Sequence, residues 1–113
     1  MITLWHNPRC SKSRAALNLL IDRGVPVEEL RYLVDQPSRE EIDQVLLKLG
    51  IPASALARVG EKLFRELGLY EASDAEILDA MAENPILIER PIAIRSSRAV
   101  IGRPPENVLS LLD

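Results

Sequence analysis

The first third of the chain alternates between strand-like and helix-like spacing of its apolar residues. The apolar run at residues 2–5 predicts a short buried strand, and residues 11–23 predict a helix that stops at Gly24. A mixed apolar pattern at about residues 27–33 suits a second strand. Strand, helix and strand in this order form a βαβ unit with parallel strands and a right-handed crossover. The apolar face of the predicted helix comprises Ala15, Leu17, Leu20 and Ile21.

The middle of the chain, from about residue 38 to residue 84, has helical spacing throughout. Ser38 with Glu41, and Ser73 with Glu76, each form the capping box that begins a helix. The first of these helices is expected to run to Gly50, and the second to end before the proline at position 85. Two short helical pieces, at residues 53–58 and 61–67, are predicted between them.

The last third returns to strands. We predict extended segments at residues 86–88, 92–94 and 99–102, with a polar turn at 95–98 and a final helix that begins at residues 103–106. The order β-α-β, helices, β-β-α is a thioredoxin-like α/β pattern. It has a helical insertion between the N-terminal βαβ unit and the C-terminal ββα unit, and we expect one domain over residues 1–113. Pro91, just before a strand, is where a cis proline is expected.

Composition narrows the class of protein. The chain has 113 residues, 47% apolar and 27% charged, with a net charge of -3, and this acidic balance argues against a nucleic-acid partner. Its apolar runs are shorter than the roughly 20 residues that a membrane helix needs. We see no secretory signal and expect a cytoplasmic protein. One cysteine and one histidine do not make a metal site, so no metal ligands are predicted.

Candidate chemistry concentrates between the first strand and the first helix, where ligands bind in open α/β sheets. Cys10 is the only cysteine, and it stands where the N–H groups of a helix would stabilise a thiolate. Arg9, Lys12 and Arg14 add nearby positive charge, and Ser13 is spaced to donate its hydroxyl to the sulfur. The alternative is that Cys10 is an inert, small hydrophobic residue. Any disulfide that Cys10 forms needs a second molecule.

Three separated segments resemble one known family. His6-Asn7-Pro8-Arg9-Cys10 with Ser13-Arg14, the run from Asn84 to Ile92, and Gly102-Arg103-Pro104-Pro105-Glu106 are similar to segments of the ArsC family, the glutaredoxin-coupled arsenate reductases. They occur in the family's order and span nearly the whole chain. The closest similarity is to the short, poorly characterised branch of this family.

The resemblance implies roles for individual residues. Cys10 corresponds to the nucleophile, His6 to a histidine that influences its ionisation, and Ser13 to a serine that hydrogen-bonds it. Pro91 corresponds to the cis proline. The substrate-binding residues implied around the oxyanion are Arg58, Arg90 and Arg103, with which we group Arg14. Guanidinium groups suit an arsenate dianion because they stay charged and donate hydrogen bonds in pairs.

The resemblance also implies a reaction and its partners. Arsenate is reduced to arsenite, glutathione is the reductant, glutaredoxin resolves the mixed disulfide, no cofactor is tightly bound, and the protein is a monomer. One rival is a glutathione-dependent thiol reductase with another substrate. A second is a non-catalytic redox or interaction module like the Spx family, whose Cys-x-x-Cys is replaced here by Cys10 and Ser13. A phosphatase loop is excluded, because Cys-x5-Arg would put arginine where the chain has Ala16.

Overall fold

The structure, a computed structural model, describes residues 1–112. The four strands are β1 (Ile2–Trp5), β2 (Val27–Leu30), β3 (Ile92–Arg95) and β4 (Arg98–Ile101). The five α-helices are α1 (Ser11–Asp22), α2 (Arg39–Leu49), α3 (Ala53–Leu56), α4 (Lys62–Glu66) and α5 (Asp74–Glu83). Three 3-10 helices span Leu69–Glu71, Pro85–Leu87 and Pro105–Leu112.

The residues form two compact units. The sheet unit contains residues 1–35 together with the chain from residue 90 onward, and the helical unit contains Gln36–Glu89. The sheet unit holds the βαβ and ββ segments with the last 3-10 helix, and the helical unit is the insertion between them. The α/β fold class and its helical insertion, predicted from the sequence, are therefore confirmed.

The sheet has the strand order β2-β1-β3-β4. β1 and β2 are parallel, with Ile2 opposite Val27 and Trp5 opposite Leu30. β1 and β3 are antiparallel, and β3 and β4 form an antiparallel hairpin. Because β1 and β2 are parallel, their carboxyl ends lie at the same edge of the sheet. The backbone N–H of His6, just beyond β1, continues this pairing by donating to the Leu30 carbonyl at 2.8 Å.

The core of the sheet unit lies between the sheet, α1 and the last 3-10 helix. Its fully buried members are Ile2, Leu4, Ala16, Leu20, Ala93, Val108 and Leu111. The face of α1 differs from the predicted one. The helix buries Ser13, Ala16 and Leu20, whereas Ala15 and Ile21 are exposed. The buried face of α1 could not be identified from the apolar residues alone, because this face also includes the polar Ser13.

The helical unit begins its two longer helices as predicted. Ser38 and Glu41, and likewise Ser73 and Glu76, exchange both hydrogen bonds of a capping box. The short helices α3 and α4 fall within the predicted pieces but are shorter than expected. Within residues 1–112, no helix is long and apolar enough to cross a membrane.

Three predicted elements differ from the structure. β2 ends at Leu30 and not near residue 33, because the Arg31 carbonyl accepts the Val34 and Asp35 N–H groups in a turn. The segment at 86–88 was predicted as a strand, which is wrong: Pro85–Leu87 is a 3-10 helix, closed by the Ile88 N–H on the Pro85 carbonyl. The last helix has 3-10 rather than α geometry.

Candidate active site

Cys10 is the residue that immediately precedes the first turn of α1. The loop from β1 folds tightly at Asn7, whose carbonyl accepts the Cys10 N–H at 3.0 Å and whose side-chain oxygen accepts the Arg9 N–H at 3.0 Å. The Cys10 carbonyl accepts the Arg14 N–H at 3.0 Å and so begins the helix. The side chain of Cys10 is partly exposed. The thiol is thus fixed at the positive end of α1, with access for a reactant.

Several groups around the sulfur favour its ionised form. Burial by itself raises the pKa of the Cys10 thiol. The backbone N–H groups of Ser13 and Lys12, together with the charge and hydrogen bond of Arg90, lower this pKa by more than burial raises it. The net result is a pKa below the ordinary value for cysteine. A lowered pKa increases the thiolate fraction at neutral pH, and the thiolate is the nucleophile.

Two arginines from the far end of the sequence meet at this thiol. Nη2 of Arg103 lies 3.9 Å from Sγ of Cys10, and Nε of Arg103 donates to the Arg90 carbonyl at 2.6 Å. The side chain of Arg90 hydrogen-bonds the same sulfur. Both guanidinium groups are partly buried. The sheet unit therefore places two arginine side chains beside Cys10, each in contact with its sulfur.

Each of these arginines precedes a cis proline. The Arg90–Pro91 peptide bond is cis, the geometry expected for Pro91, and so is the Arg103–Pro104 bond, which the sequence did not predict. Gly102 donates its N–H to the Pro91 carbonyl at 2.8 Å. A Cβ at Gly102 would lie 2.8 Å from Cγ of Pro91, so only glycine fits there without a shift. This contact holds the segment carrying Arg103 against the one carrying Arg90.

The hydroxyl of Ser13 does not serve the role that its spacing from Cys10 predicted. Its Oγ lies 2.6 Å from Nδ1 of His6 and accepts the Asn7 N–H at 3.0 Å. The group of Ser13 that lowers the pKa of Cys10 is its backbone N–H. Helical spacing placed Ser13 correctly on the cysteine side of α1, but it does not reveal that the hydroxyl pairs with the end of β1.

His6 is buried and linked to both neighbouring elements. Its Nε2 lies 3.9 Å from a carboxylate oxygen of Glu29, which follows from the parallel pairing of β1 and β2. Burial lowers the pKa of His6, Glu29 opposes this, and the charges of Arg31 and Arg14 lower it further. We assign the neutral ring with its proton on Nε2, so that Nδ1 accepts the Ser13 hydroxyl and Nε2–H faces Glu29.

The cations next to Cys10 in sequence contribute less than expected. Nη1 of Arg14 donates to the Pro8 carbonyl at 2.9 Å, so this exposed arginine supports the loop. The only cation whose charge is among the causes of the lowered thiol pKa is Arg90, while Lys12 acts through its backbone N–H. A role for Arg14 in binding substrate stays a prediction.

Arg58 belongs to the helical unit. Its Nη1 lies 3.3 Å from Glu61 Oε2, and its Nε lies 3.8 Å from Glu89 Oε1. Its backbone N–H donates to the Leu87 carbonyl at 2.7 Å, and the Glu89 N–H donates to the Leu56 carbonyl. These backbone hydrogen bonds join residues 56–58 to residues 87–89. The role of Arg58 toward an oxyanion stays a prediction from the resemblance.

Two charged residues near the site were not predicted from the sequence. Glu29 and Arg31 both act electrostatically on His6, although neither belongs to the Cys10 segment. The signal was available in the βαβ pattern: parallel strands end at the same edge, and residues two apart on a strand share a face. Within residues 1–112, no group of His, Cys, Asp or Glu side chains is arranged to hold a metal ion.

Comparison with known proteins identifies the family to which this chain belongs. Residues 5–111 match the ArsC family. The chain belongs to the ArsC family. An arsenate reductase of Neisseria meningitidis serogroup A is 43% identical over 98% of this chain and 97% of the relative. One from Haemophilus influenzae is 44% identical over 98% of both chains.

Solved structures of the ArsC family agree with the fold. The arsenate reductase from Vibrio cholerae matches this chain with a TM-score of 0.94 at 43% identity, covering 96% of this chain and 95% of that one. The family resemblance stated from three sequence segments is therefore confirmed, and with it the thioredoxin-like ArsC fold. In this ArsC-family chain the sheet unit alone brings His6, Cys10, Ser13, Arg90, Pro91 and Arg103 together.

Proposed function

We propose that this protein reduces arsenate to arsenite through the Cys10 thiolate, with glutathione as the reductant and glutaredoxin as the resolving partner. The observation that carries the proposal is the position of the partly exposed Sγ of Cys10. It lies at the start of α1, 3.9 Å from Arg103 Nη2 and hydrogen-bonded by Arg90. A nucleophile beside two guanidinium groups suits a substrate that is both an electrophile and an anion.

In the first step, the Cys10 thiolate attacks the arsenic atom of bound arsenate. An S–As bond forms, one As–O bond breaks, and the departing oxygen takes up protons and leaves as water. Arsenic remains As(V) in this thiol–arsenate adduct. Arg90 and Arg103 offset the negative charge of the anion and of the incoming thiolate, which would otherwise repel each other.

In the second step, the thiolate of glutathione attacks the Cys10 sulfur. An S–S bond forms while the S–As bond breaks, and its electron pair stays on arsenic. Arsenic is thereby reduced to As(III) and leaves as arsenite. The two sulfur atoms are oxidised together to a mixed disulfide between Cys10 and glutathione.

In the third step, a glutaredoxin thiolate attacks the glutathione sulfur of the mixed disulfide and releases the Cys10 thiolate. An outside thiol is needed because the sequence has a single cysteine. The lowered pKa of Cys10 helps here as well, because a thiolate of low basicity is a good leaving group.

The proposal is tested by arsenate-dependent NADPH oxidation, coupled through glutathione reductase, glutathione and glutaredoxin. We expect turnover with the wild-type protein, none with Cys10→Ser, and none when glutaredoxin is omitted. Lys12→Gln is the matched surface control and should behave like wild type, because only the backbone of Lys12 contributes at the thiol. Absence of wild-type turnover would exclude arsenate reduction and favour a glutathione-linked reductase of another substrate.

A further inference from the structure

The helical unit has a groove between α2, the segment at residues 50–53 and the beginning of α5. Its volume is about 550 Å³, which is within the range of about 300–1,000 Å³ that is usual for ligand sites. All of its lining residues belong to Gln36–Glu89, and none of them is part of the site around Cys10. We call it the α2–α5 groove, and its lining includes Asp43, Leu46, Leu47, Ile51, Asp74 and Leu78.

The α2–α5 groove is apolar at its base and open at its rim. Leu46, Ala53 and Leu78 are buried, whereas the side chain of Leu47 is 69% exposed. An exposed leucine by itself is ordinary on a protein surface. Here it extends the apolar surface of a concave space whose base belongs to the core. Because ligand pockets enclose most of a small molecule, an open groove is better suited to a polypeptide segment that keeps one face in water.

The available charge at the α2–α5 groove is negative. Arg39 lines the groove but is ion-paired with Asp79. Asp74 also lines it, and its Oδ1 accepts the Ser54 N–H at 3.1 Å. In the described part of the chain, the exposed carboxylate of Asp43 has neither an ion pair nor a hydrogen bond. This carboxylate can therefore pair with a cation of an occupant.

The helical unit as a whole is acidic. Gln36–Glu89 contains eleven Asp and Glu residues against five Lys and Arg, a net charge of -6. The rest of the chain contains six against nine, a net charge of +3. The negative charge is thus concentrated in the unit that carries the groove. A surface of one charge sign attracts a partner of the opposite sign and speeds its association, so a cationic occupant is favoured.

The elements around the groove restrict the form of its occupant. Residues 36–89 contain no β-strand, so there is no strand edge to which an extended peptide could add. No aromatic side chain lines the groove, although the grooves that bind proline-rich peptides are lined by aromatic residues. A third common mode of peptide recognition places the apolar face of an amphipathic helix in an apolar groove. The α2–α5 groove has the features that this mode needs.

We propose that the α2–α5 groove binds a basic amphipathic helix of a partner protein. Apolar side chains of that helix pack on Leu46, Leu47 and Leu78, and a lysine or arginine beside them pairs with Asp43. The inference does not depend on arsenate reduction, because the groove and the Cys10 site share no residue. It gives the acidic helical unit a binding role that is separate from the thiol chemistry.

The test uses the full chain and a fluorescent peptide of leucine and lysine at helical spacing. The peptide has about 14 residues, which form roughly four helical turns. Binding is measured by fluorescence anisotropy. Two further peptides serve as controls: one has the same composition in an order without helical spacing, and the other has glutamate in place of lysine.

The variants are Leu47→Ser and Asp43→Asn, which change one apolar and one acidic residue of the groove. Both side chains are exposed, so neither substitution disturbs the core. The matched controls are Leu67→Ser and Glu83→Gln, which make comparable changes at exposed positions of the same unit outside the groove.

Wild type should bind the helical leucine–lysine peptide more tightly than either control peptide. Leu47→Ser should raise Kd about tenfold, because it removes an apolar side chain that the peptide buries. Asp43→Asn should raise Kd about twofold to fivefold at low salt and less at high salt, as expected for an exposed ion pair. Leu67→Ser and Glu83→Gln should match wild type.

Amide NMR spectra locate the contact. The peptide should shift the amide signals of α2 and of the beginning of α5, and leave those of the Cys10 loop in place. The proposal is overturned if wild type binds all three peptides equally, or if Leu47→Ser and Asp43→Asn bind the helical peptide as tightly as their controls. A dimer of the protein alone, detected by light scattering and dissociated by Leu47→Ser, would also overturn it, because a second copy would then cover the groove.

Discussion

Nδ1 of His6 and Oγ of Ser13 are 2.6 Å apart, and both side chains are buried. The pair joins the end of β1 to the first turn of α1, the two elements between which Cys10 stands. Ser13 Oγ also accepts the Asn7 N–H, so the same hydroxyl holds the loop. The only histidine of the chain thus supports the thiol loop through Ser13 and does not itself touch the sulfur in the described contacts.

Replacing Ser13 by alanine should destabilise the fold. The substitution removes the acceptor of the Asn7 N–H and leaves His6 Nδ1 buried without its partner. An unsatisfied buried polar group costs about 1–3 kcal/mol. We expect that loss in the free energy of unfolding by urea. Ser11→Ala, an exposed serine of the same helix turn, should change it by less than about 0.5 kcal/mol. Equal effects of the two variants would contradict the account.

The stability of the protein should fall as the pH drops below about 7. Burial lowers the pKa of His6 in the folded state, while the unfolded chain takes up its proton near pH 6.5. The unfolded state therefore binds more protons, and the stabilisation present above about pH 6.5 is lost as the pH falls toward the lowered folded value. Urea unfolding at successive pH values measures this slope. His6→Asn should flatten this slope below about pH 6.5, and an unchanged slope would contradict the assignment of a lowered pKa to His6.

Arg90→Gln should raise the pKa of the Cys10 thiol. The substitution removes the charge and the charged hydrogen bond that act on the sulfur. Alkylation of Cys10 by iodoacetamide, followed over pH, should show its midpoint at higher pH in the variant. Lys12→Gln keeps the backbone N–H that acts on the sulfur and should leave the midpoint in place. Coinciding pH profiles for Arg90→Gln and wild type would show that Arg90 does not lower the pKa of the Cys10 thiol.

Gly102→Ala should destabilise the sheet unit by overpacking. The new Cβ would lie 2.8 Å from Pro91 Cγ and 3.1 Å from Val108 Cγ1, and such crowding costs about 1–3 kcal/mol. Gly60→Ala is the control, because nothing lies within 4 Å of a Cβ there. Its effect should stay within about 1 kcal/mol. Thermal unfolding of both variants checks this, and equal stability of the two would exclude the close contact at Pro91.

Arg58→Gln should affect arsenate turnover more than folding. The ion pairs of Arg58 with Glu61 and Glu89 are partly solvent-exposed, and such pairs contribute about 1 kcal/mol or less. Losing a charged hydrogen bond to arsenate should raise the KM for arsenate about tenfold or more. Arg65→Gln, an exposed arginine of α4, is the control for charge. An unchanged KM in Arg58→Gln would remove Arg58 from the substrate-binding set.

Local signals in the sequence predicted most of the fold. The capping boxes at Ser38 and Ser73 begin α2 and α5 as expected, because a cap depends on residues only three positions apart. The prediction of a strand at residues 86–88 is wrong because the local pattern there is too short to decide between a strand and a turn. A run of three apolar residues has no period of its own, and the preceding Pro85 forms the first residue of a 3-10 turn.

The sequence predicted which residues belong to the site better than it predicted the contacts between them. Cys10 could be found from the strand–turn–helix pattern, and Arg90 and Arg103 only from the family resemblance, since nothing local links them to Cys10. The pairing of Ser13 with His6 needs the distance between β1 and α1, which spacing along one helix does not contain. Glu29 and Arg31 were missed because the βαβ pattern indicates only that the two parallel strands end at the same edge, whereas the residues that lie beside His6 depend on the register between them.

The proposed reaction requires that the arsenic of arsenate gains two electrons from the sulfur atoms of Cys10 and glutathione, which are oxidised together to a disulfide. The most direct measurement is a single turnover of the reduced protein with arsenate and glutathione in the absence of glutaredoxin, read by intact mass and by arsenite formed. The account predicts a glutathione adduct on Cys10 and an equal amount of arsenite, with neither product when arsenate is omitted or in Cys10→Ser. A Cys10 adduct that forms equally without arsenate, or arsenite that forms equally with Cys10→Ser, would contradict it.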